Sequence, residues 1–281
     1  MKNYAKIALL GLLALSLFAA CEKEKENEKP YIPLEPELQA DFTETAYGTA
    51  IEMVYVKGGE FMMGATAEQG DDAYDWEKPV RTVRLDSYHI GKYEVTQAQW
   101  KAVMGTEPSS FEGENRPVGK VSRGDAKKFC EKLSAKTGKK YVLPTEAQWE
   151  YAARGGKKSR GYKYAGSNTL SEVAWYSDNS YALGQYDPDY GTHAVGTKKA
   201  NELGIYDMSG NVEEWCADYY GSYDVNDTDN PTGPQNVTTC AVVRGGCWVL
   251  DARGCRVSYR RPNYHAGYRY SYLGFRVAMI P

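Results

Sequence analysis

"LPTEAQWEYAARGG", Leu143–Gly156, carries both boundaries of one short helix. Pro144 fits just outside the start. The Thr145 hydroxyl can accept from an orphan backbone N–H of the first turn, and Gln148, three residues on, can reach back to the backbone of Thr145. Gly155-Gly156 then supplies the stop. The same pattern recurs upstream at Thr96 with Gln99 and at Ser122 with the shorter Asp125. The second of these predicts a helix to about Thr137, ended by Gly138. Further upstream, "IEMVYVKGGEFMMG" (51–64) predicts a strand hairpin broken at Gly58-Gly59, and the alternating "RTVRLDSYHIGKYEVT" (81–96) predicts another strand pair. Beyond Gly156 the helical period vanishes into short segments rich in Gly, Asn, Asp, Ser and Tyr, without an internal repeat. The fold class is α+β: a small sheet, a few helices and much irregular chain. Long loops in a compact domain are usually functional or pinned by ions or bonds.

The formal net charge is −3, which argues against a nucleic-acid partner, since that role needs a basic face against phosphates. The N-terminus is more informative. Lys2 and Lys6 precede an apolar run from Ile7 to Ala20, shorter than the about 20 residues of a comfortable membrane span. This predicts a secretory signal over residues 1–20. The segment "LFAAC" (17–21) resembles a lipobox and predicts lipidation at Cys21, and so an exported bacterial lipoprotein held at the outer membrane or cell surface by its lipid. The following "EKEKENEKP" cannot build a core, and residues 21–48 are expected to be a charged tether ahead of a domain over 49–281. Export would place the other five cysteines in an oxidising setting, and an odd number leaves at least one thiol unpaired within the chain.

Several kinds of site are missing. His89, His193 and His265 are far apart, with no His or Cys at zinc spacing. Neither a nucleophile elbow nor a phosphate loop occurs. "GDDAYDWE" (70–77) lacks the alternation of a calcium loop and reads as a solvated surface segment.

"MVYVKGGEFMMG", "IGKYEVTQAQW", "LPTEAQWEYAARGG", "NELGIYDMSGNVEEW", "RGGCW", "CRVSYR" and "LGFRVA" together resemble the formylglycine-generating enzyme, or sulfatase-modifying factor, family, in that family's order over roughly residues 50–281. The resemblance implies a modified C-type-lectin-like fold. In active members two cysteines bind copper(I) and oxidise a substrate cysteine. Carried over, the first cysteine falls on Leu250, the family's histidine on Asp251 and its serine on Cys247; only Cys255 matches. Copper(I) wants two nearby thiolates, and Leu250 offers no lone pair. No catalytic residue is therefore expected, Cys255 and Cys247 being the fallback pair. These two read as structural thiols, with a Cys247–Cys255 disulfide as the alternative. For calcium, the resemblance implies Asn211 and Glu214 by side chain and Val212 and Cys216 by carbonyl; Glu213 stands where the family usually has an aromatic.

"RRPNYHAGYRYSY" (260–272) mixes Arg, Tyr, Asn and His, a set that suits binding faces. In the family this segment lines the substrate cleft, and some relatives diversify it through retroelements. Trp248, Arg253, Arg261, Asn263, Tyr264, His265, Tyr268, Arg269 and Tyr270 are expected to rim one cleft, whereas Arg244, Arg256, Arg260 and Arg276 match shared positions and are expected to be structural. The leading expectation is a binding module for a peptide, protein or glycan. The alternatives are a cysteine-to-formylglycine oxidase with an altered copper site, and a structural part of an envelope machine such as a gliding-motility lipoprotein.

Overall fold

The structure, a computed structural model, describes residues 39–234, 239–262 and 264–281. The signal, the lipidation site Cys21 and most of the expected tether lie outside the described residues. So does Asn263.

The main sheet is antiparallel and five-stranded, in the order β1 (Phe42–Ala46), β2 (Thr49–Val56), β5 (Tyr88–Gly91), β10 (Ala278–Ile280), β6 (Lys140–Val142). β1 corrects the expected tether boundary at residue 48. Tyr47 and Gly48, both at positive φ, make a two-residue turn that pairs Ala46 with Thr49. The two predicted strand pairs also need correction. β2 and β3 (Gly59–Met63) are consecutive, as are β4 (Arg81–Leu85) and β5, but the pairings are β2 with β5 and β3 with β4. The four strands thus form one long ribbon bent in the middle. Gly58 permits the bend: a Cβ there would lie 2.3 Å from the Leu85 carbonyl oxygen.

The period of two explains the layers. On β2, Ile51 and Met53 face one cluster with Trp100, Phe129 and Leu133, while Val54 and Val56 face another with Trp149, Ala152 and Ala153. The first face is covered by α1 (Gln97–Met104) and α2 (Arg123–Thr137), the second by α3 (Glu146–Ala153). Each of the three helices has its expected capping box, and Gly138 in left-handed geometry ends α2. A three-stranded sheet places β7 (Glu213–Tyr219) between antiparallel β8 (Ala241–Arg244) and parallel β9 (Leu273–Gly274).

From Arg154 to Val212 the chain forms one four-residue α-helix, α4 (Leu170–Val173), three single 3-10 turns (Gly156–Lys158, Ser177–Asn179 and Tyr181–Leu183) and irregular chain. Buried polar contacts hold it: the Asn201 Nδ2 donates to the Ala152 carbonyl at 2.7 Å and the Ser209 hydroxyl to the Cys255 carbonyl at 2.8 Å. The four arginines expected to be structural are all buried against carboxylates, pairing Arg244 with Glu150, Arg256 with Glu77, Arg260 with Glu146 and Arg276 with Glu214. "GDDAYDWE" is therefore not simply a solvated loop, because its Glu77 is fully buried on Arg256.

Candidate functional site: an aromatic cleft over a buried carboxylate

β7 turns adjacent residues to opposite sides. Glu214 faces the interior, where its Oε1 accepts from Arg276 Nη2 and its Oε2 from Arg276 Nε and Trp149 Nε1, at 2.7, 2.7 and 2.8 Å. Glu213 is also buried, but beside a phenol: the Tyr264 hydroxyl donates to Oε2 at 2.7 Å. That hydroxyl accepts in turn from Arg261 Nη1 at 3.0 Å. Burial pushes the Glu213 carboxyl up to about 7, against the lowering effects of Tyr264 and Arg261.

Arg261 and Tyr264 belong to the wall of an open cleft of about 770 Å³. The C-terminal segment contributes Tyr259, Tyr268, Tyr270 and Tyr272 as well; the turn after β8 contributes Leu250, Asp251 and Gly254. Across from them stand Tyr74 and Trp76, stacked at 4.4 Å with planes 9° apart.

Of the nine residues expected to rim one cleft, Arg261, Tyr264, Tyr268 and Tyr270 line it. Trp248 does not. It is 3% exposed and packs edge-on against Phe111 and Tyr190, each at 5.0 Å. Its large apolar surface is better buried there than left at a mouth. Arg253 supports the cleft from behind, its guanidinium 3.6 Å over the Tyr74 ring and its Nε donating to the Asp72 carbonyl. His265 is exposed beside Tyr268, and Arg269 is exposed and paired with Asp125 at 2.8 Å. Neither lines the cleft. The sequence reading missed Tyr74 and Trp76. The available signal was an alternating aromatic pair inside an acidic loop, where no core needs filling.

Cys247 and Cys255 are both free and fully buried, which corrects the disulfide alternative; the buried Cys130 and Cys216 are free as well. Burial pushes both thiols upward, away from the thiolate form. Leu250 and Asp251 line the cleft where the family has a copper-binding cysteine and a histidine. These residues do not fit a copper(I) site.

Three of the four expected calcium ligands, Asn211, Glu214 and the Cys216 carbonyl, are engaged by other groups. Asn211 spends its amide on His193 and Glu94: Oδ1 accepts from the His193 N–H at 2.9 Å and Nδ2 donates to Glu94 Oε2 at 2.7 Å. Glu214 is held by Arg276 and Trp149, and the Cys216 carbonyl accepts from the Arg123 guanidinium at 3.1 Å. A guanidinium at two of the four positions opposes a second cation. Val212, expected to ligate by its carbonyl, donates its N–H to Glu94 Oε1 at 3.1 Å. Among the described residues no three His, Cys, Asp or Glu side chains group to hold a metal. One nearby oxygen is orphaned: Asp207 Oδ1 is buried without a partner, while Oδ2 accepts from the Gly196 N–H at 2.7 Å. Burial and the charge of Glu214 raise Asp207 to about 6, and burial with Asp207 and Glu214 raises Glu94.

The model of the sulfatase-modifying factor enzyme 1-like domain matches residues 38–280. A chaperone protein LppX of Paenibacillus barcinonensis is 36% identical over 74% of this chain and 82% of its own length. A formylglycine-generating enzyme of Thermomonospora curvata is 30% identical over 82% of this chain and 93% of its own. Among solved structures, Treponema denticola variable protein 1 superposes with a TM-score of 0.74 at 32% identity, covering 86% of this chain and 99% of its own. The arrangement of small sheets, few helices and ordered loops is the modified C-type-lectin-like fold of these proteins.

Proposed function

The chain belongs to the sulfatase-modifying factor enzyme 1-like domain family, and from that premise we propose a binding module: an exported lipoprotein whose cleft takes a peptide, protein or glycan ligand and carries out no cysteine oxidation. The observation that carries this reading is the cleft wall itself. Leu250 and Asp251 occupy the places of a soft-metal ligand and its neighbouring histidine, and the two remaining thiols are buried and held protonated. Copper(I) chemistry needs thiolates that substrate can reach. What remains is a concave, aromatic-lined surface with a few polar groups, the usual make-up of a recognition site. A relative that carries the name of a chaperone protein is compatible with such a holding role.

The test is to incubate the protein with copper, oxygen, a thiol reductant and a Cys-X-Pro-X-Arg peptide and to read the peptide mass. The peptide is expected to stay unmodified. Conversion of its thiol to an aldehyde, lost in Cys255→Ala, overturns the reading. For the anchor, Cys21→Ser is expected to move the protein from membrane to soluble fractions, and unchanged fractionation counts against lipidation. Among the described residues no helix is long and apolar enough to cross a membrane.

The calcium expectation is better served by Asp207 than by Asn211. Glu94 and Glu214 are held by Asn211, Val212, Arg276 and Trp149, whereas the buried Asp207 beside them keeps an unpartnered oxygen. A hard cation would take that oxygen together with backbone carbonyls.

A further inference from the structure

We propose that the ligand of the cleft is an uncharged oligosaccharide whose rings stack on Trp76 and Tyr270. This rests on the reading of the cleft as a binding site and specifies its chemistry. The first observation is a pair of prepared platforms. Tyr74 has Trp76 on one face at 4.4 Å and the Arg253 guanidinium on the other at 3.6 Å. Tyr74 is thus consumed as a support, and Trp76, 38% exposed, is held flat at the wall. Tyr270, 42% exposed, is backed in the same way by Tyr272 at 5.1 Å with planes 16° apart. Fixed ring faces carry negative quadrupole charge, which attracts the weakly positive C–H faces of sugar rings at little rotamer cost.

The second observation is charge. The wall holds one acid and one base, Asp251 and Arg261, and both have partners: the Asp251 Oδ1 accepts from the Gly254 N–H and Arg261 donates to the Tyr264 hydroxyl. A charged ligand would need an excess of one sign. Phenolic hydroxyls both donate and accept, as sugar hydroxyls do. The third observation is the backbone. Among the described residues none of the wall lies in a β-strand, so they offer no strand edge to which an extended peptide could add.

The experiment titrates the intact protein with cellohexaose, mannohexaose, chitohexaose and maltohexaose, by calorimetry and by tryptophan fluorescence. Phage-displayed random peptides form a second arm. At least one hexaose is expected to bind. Trp76→Ala and Tyr270→Ala should each weaken it roughly thirtyfold, the scale of an interface hot spot, with little change in Tm because both side chains are partly exposed. Trp76→Phe should retain most of the affinity. Failure of all four hexaoses overturns the proposal. Peptides that bind and are lost in Trp76→Ala would also overturn it, while leaving the binding module intact. Aldehyde formation in the oxidation assay would instead remove the reading beneath it.

Discussion

Glu213 and Glu214 are neighbours on one strand, both buried, and they lead different lives. Glu214 belongs to a lattice of four buried guanidinium–carboxylate pairs that ties the helices, the sheets and the long loops together. Glu213 lies behind the cleft wall and accepts a hydrogen bond from a phenol, that of Tyr264. A carboxylate taken from water with a well-placed cation keeps its charge; one buried with a neutral donor has that charge pushed out. The lattice side is built for rigidity, whereas the cleft side retains a group that titrates near neutral pH. Two carboxylates, one residue apart, thus mark the boundary between scaffold and site.

The strongest way to break this contrast is to remove one partner on the lattice side. Arg276→Met leaves Glu214 buried with only the Trp149 indole, and should lower the unfolding free energy by about 3–5 kcal/mol. The double variant Arg276→Met/Glu214→Gln should recover part of that loss, because no uncompensated charge remains. Urea denaturation of the three proteins measures it. A single-variant cost below about 1 kcal/mol would mean that Glu214 is no better supported than Glu213.

Glu213 should respond in the opposite sense. Its folded-state value of about 7 lies above the usual 4.5, so between these values the folded protein holds a proton that the unfolded chain has lost. The associated stability is fully present below pH 4.5 and is lost as the pH rises through about 7. Glu213→Gln keeps an acceptor for Tyr264 and removes the titration. It should therefore flatten this part of the profile and exceed the parent protein by about 3 kcal/mol above pH 8. Asp218, raised to about 7 by burial and by Glu146, and Asp207, raised to about 6, bend the profile in the same direction, so the difference between the two proteins is the quantity to read. A constant difference across the whole range would show that Glu213 does not titrate there.

Much of the scaffold was legible because it follows from local rules. Capping boxes at Thr96, Ser122 and Thr145 are set by residues three apart, and all three formed. Strand pairing was not local. The apolar runs flanking Gly58 were read as a hairpin, yet each run found its partner across a separate stretch of chain. The cleft fared similarly. Its C-terminal wall was visible as a run of Arg and Tyr, but the opposite wall, Tyr74 and Trp76, lies well over a hundred residues earlier and is brought there by the buried Glu77–Arg256 pair. Trp248 was placed on the rim by its sequence neighbours, although its indole is more stable packed on Phe111 and Tyr190. Tyr264 was expected on the rim of the cleft; it lines the cleft, but buried on Glu213 it is also part of the fold, and its replacement by Ala should lower Tm.

Beside the Glu214–Arg276 pair, Asp207 keeps the unpartnered oxygen on which the calcium reading rests. Calcium should raise the Tm of a metal-stripped sample, by the equivalent of about 2.7 kcal/mol at a hundredfold excess over Kd. Asp207→Asn should abolish that increment, since it removes the charge that carries the orphaned oxygen. Glu214→Ala is the poorer variant because it also breaks the pair with Arg276. An increment that survives in Asp207→Asn would place the ion elsewhere, and no increment in the parent protein would remove it.

The smallest effect sharpens the comparison most. Arg269 and Asp125 make the same guanidinium–carboxylate contact as Arg276 and Glu214, at a similar 2.8 Å, but with side chains 55% and 24% exposed. Water already solvates both groups, and holding a long side chain in one pose offsets much of the Coulomb gain, so Arg269→Ala should cost less than about 1 kcal/mol. Salt makes the distinction visible. The Debye length falls from about 10 Å at 0.1 M to about 3 Å at 1 M ionic strength, so the Arg269 effect should vanish in 1 M sodium chloride while that of Arg276→Met persists. Asp125 accepts from the Ser122 N–H at 3.0 Å within its own capping box, so it keeps a partner when Arg269 is gone. Glu214 has no such reserve beyond Trp149. Equal salt sensitivity in the two variants would mean that burial, rather than being what separates scaffold from surface in this protein, makes no difference to its ion pairs.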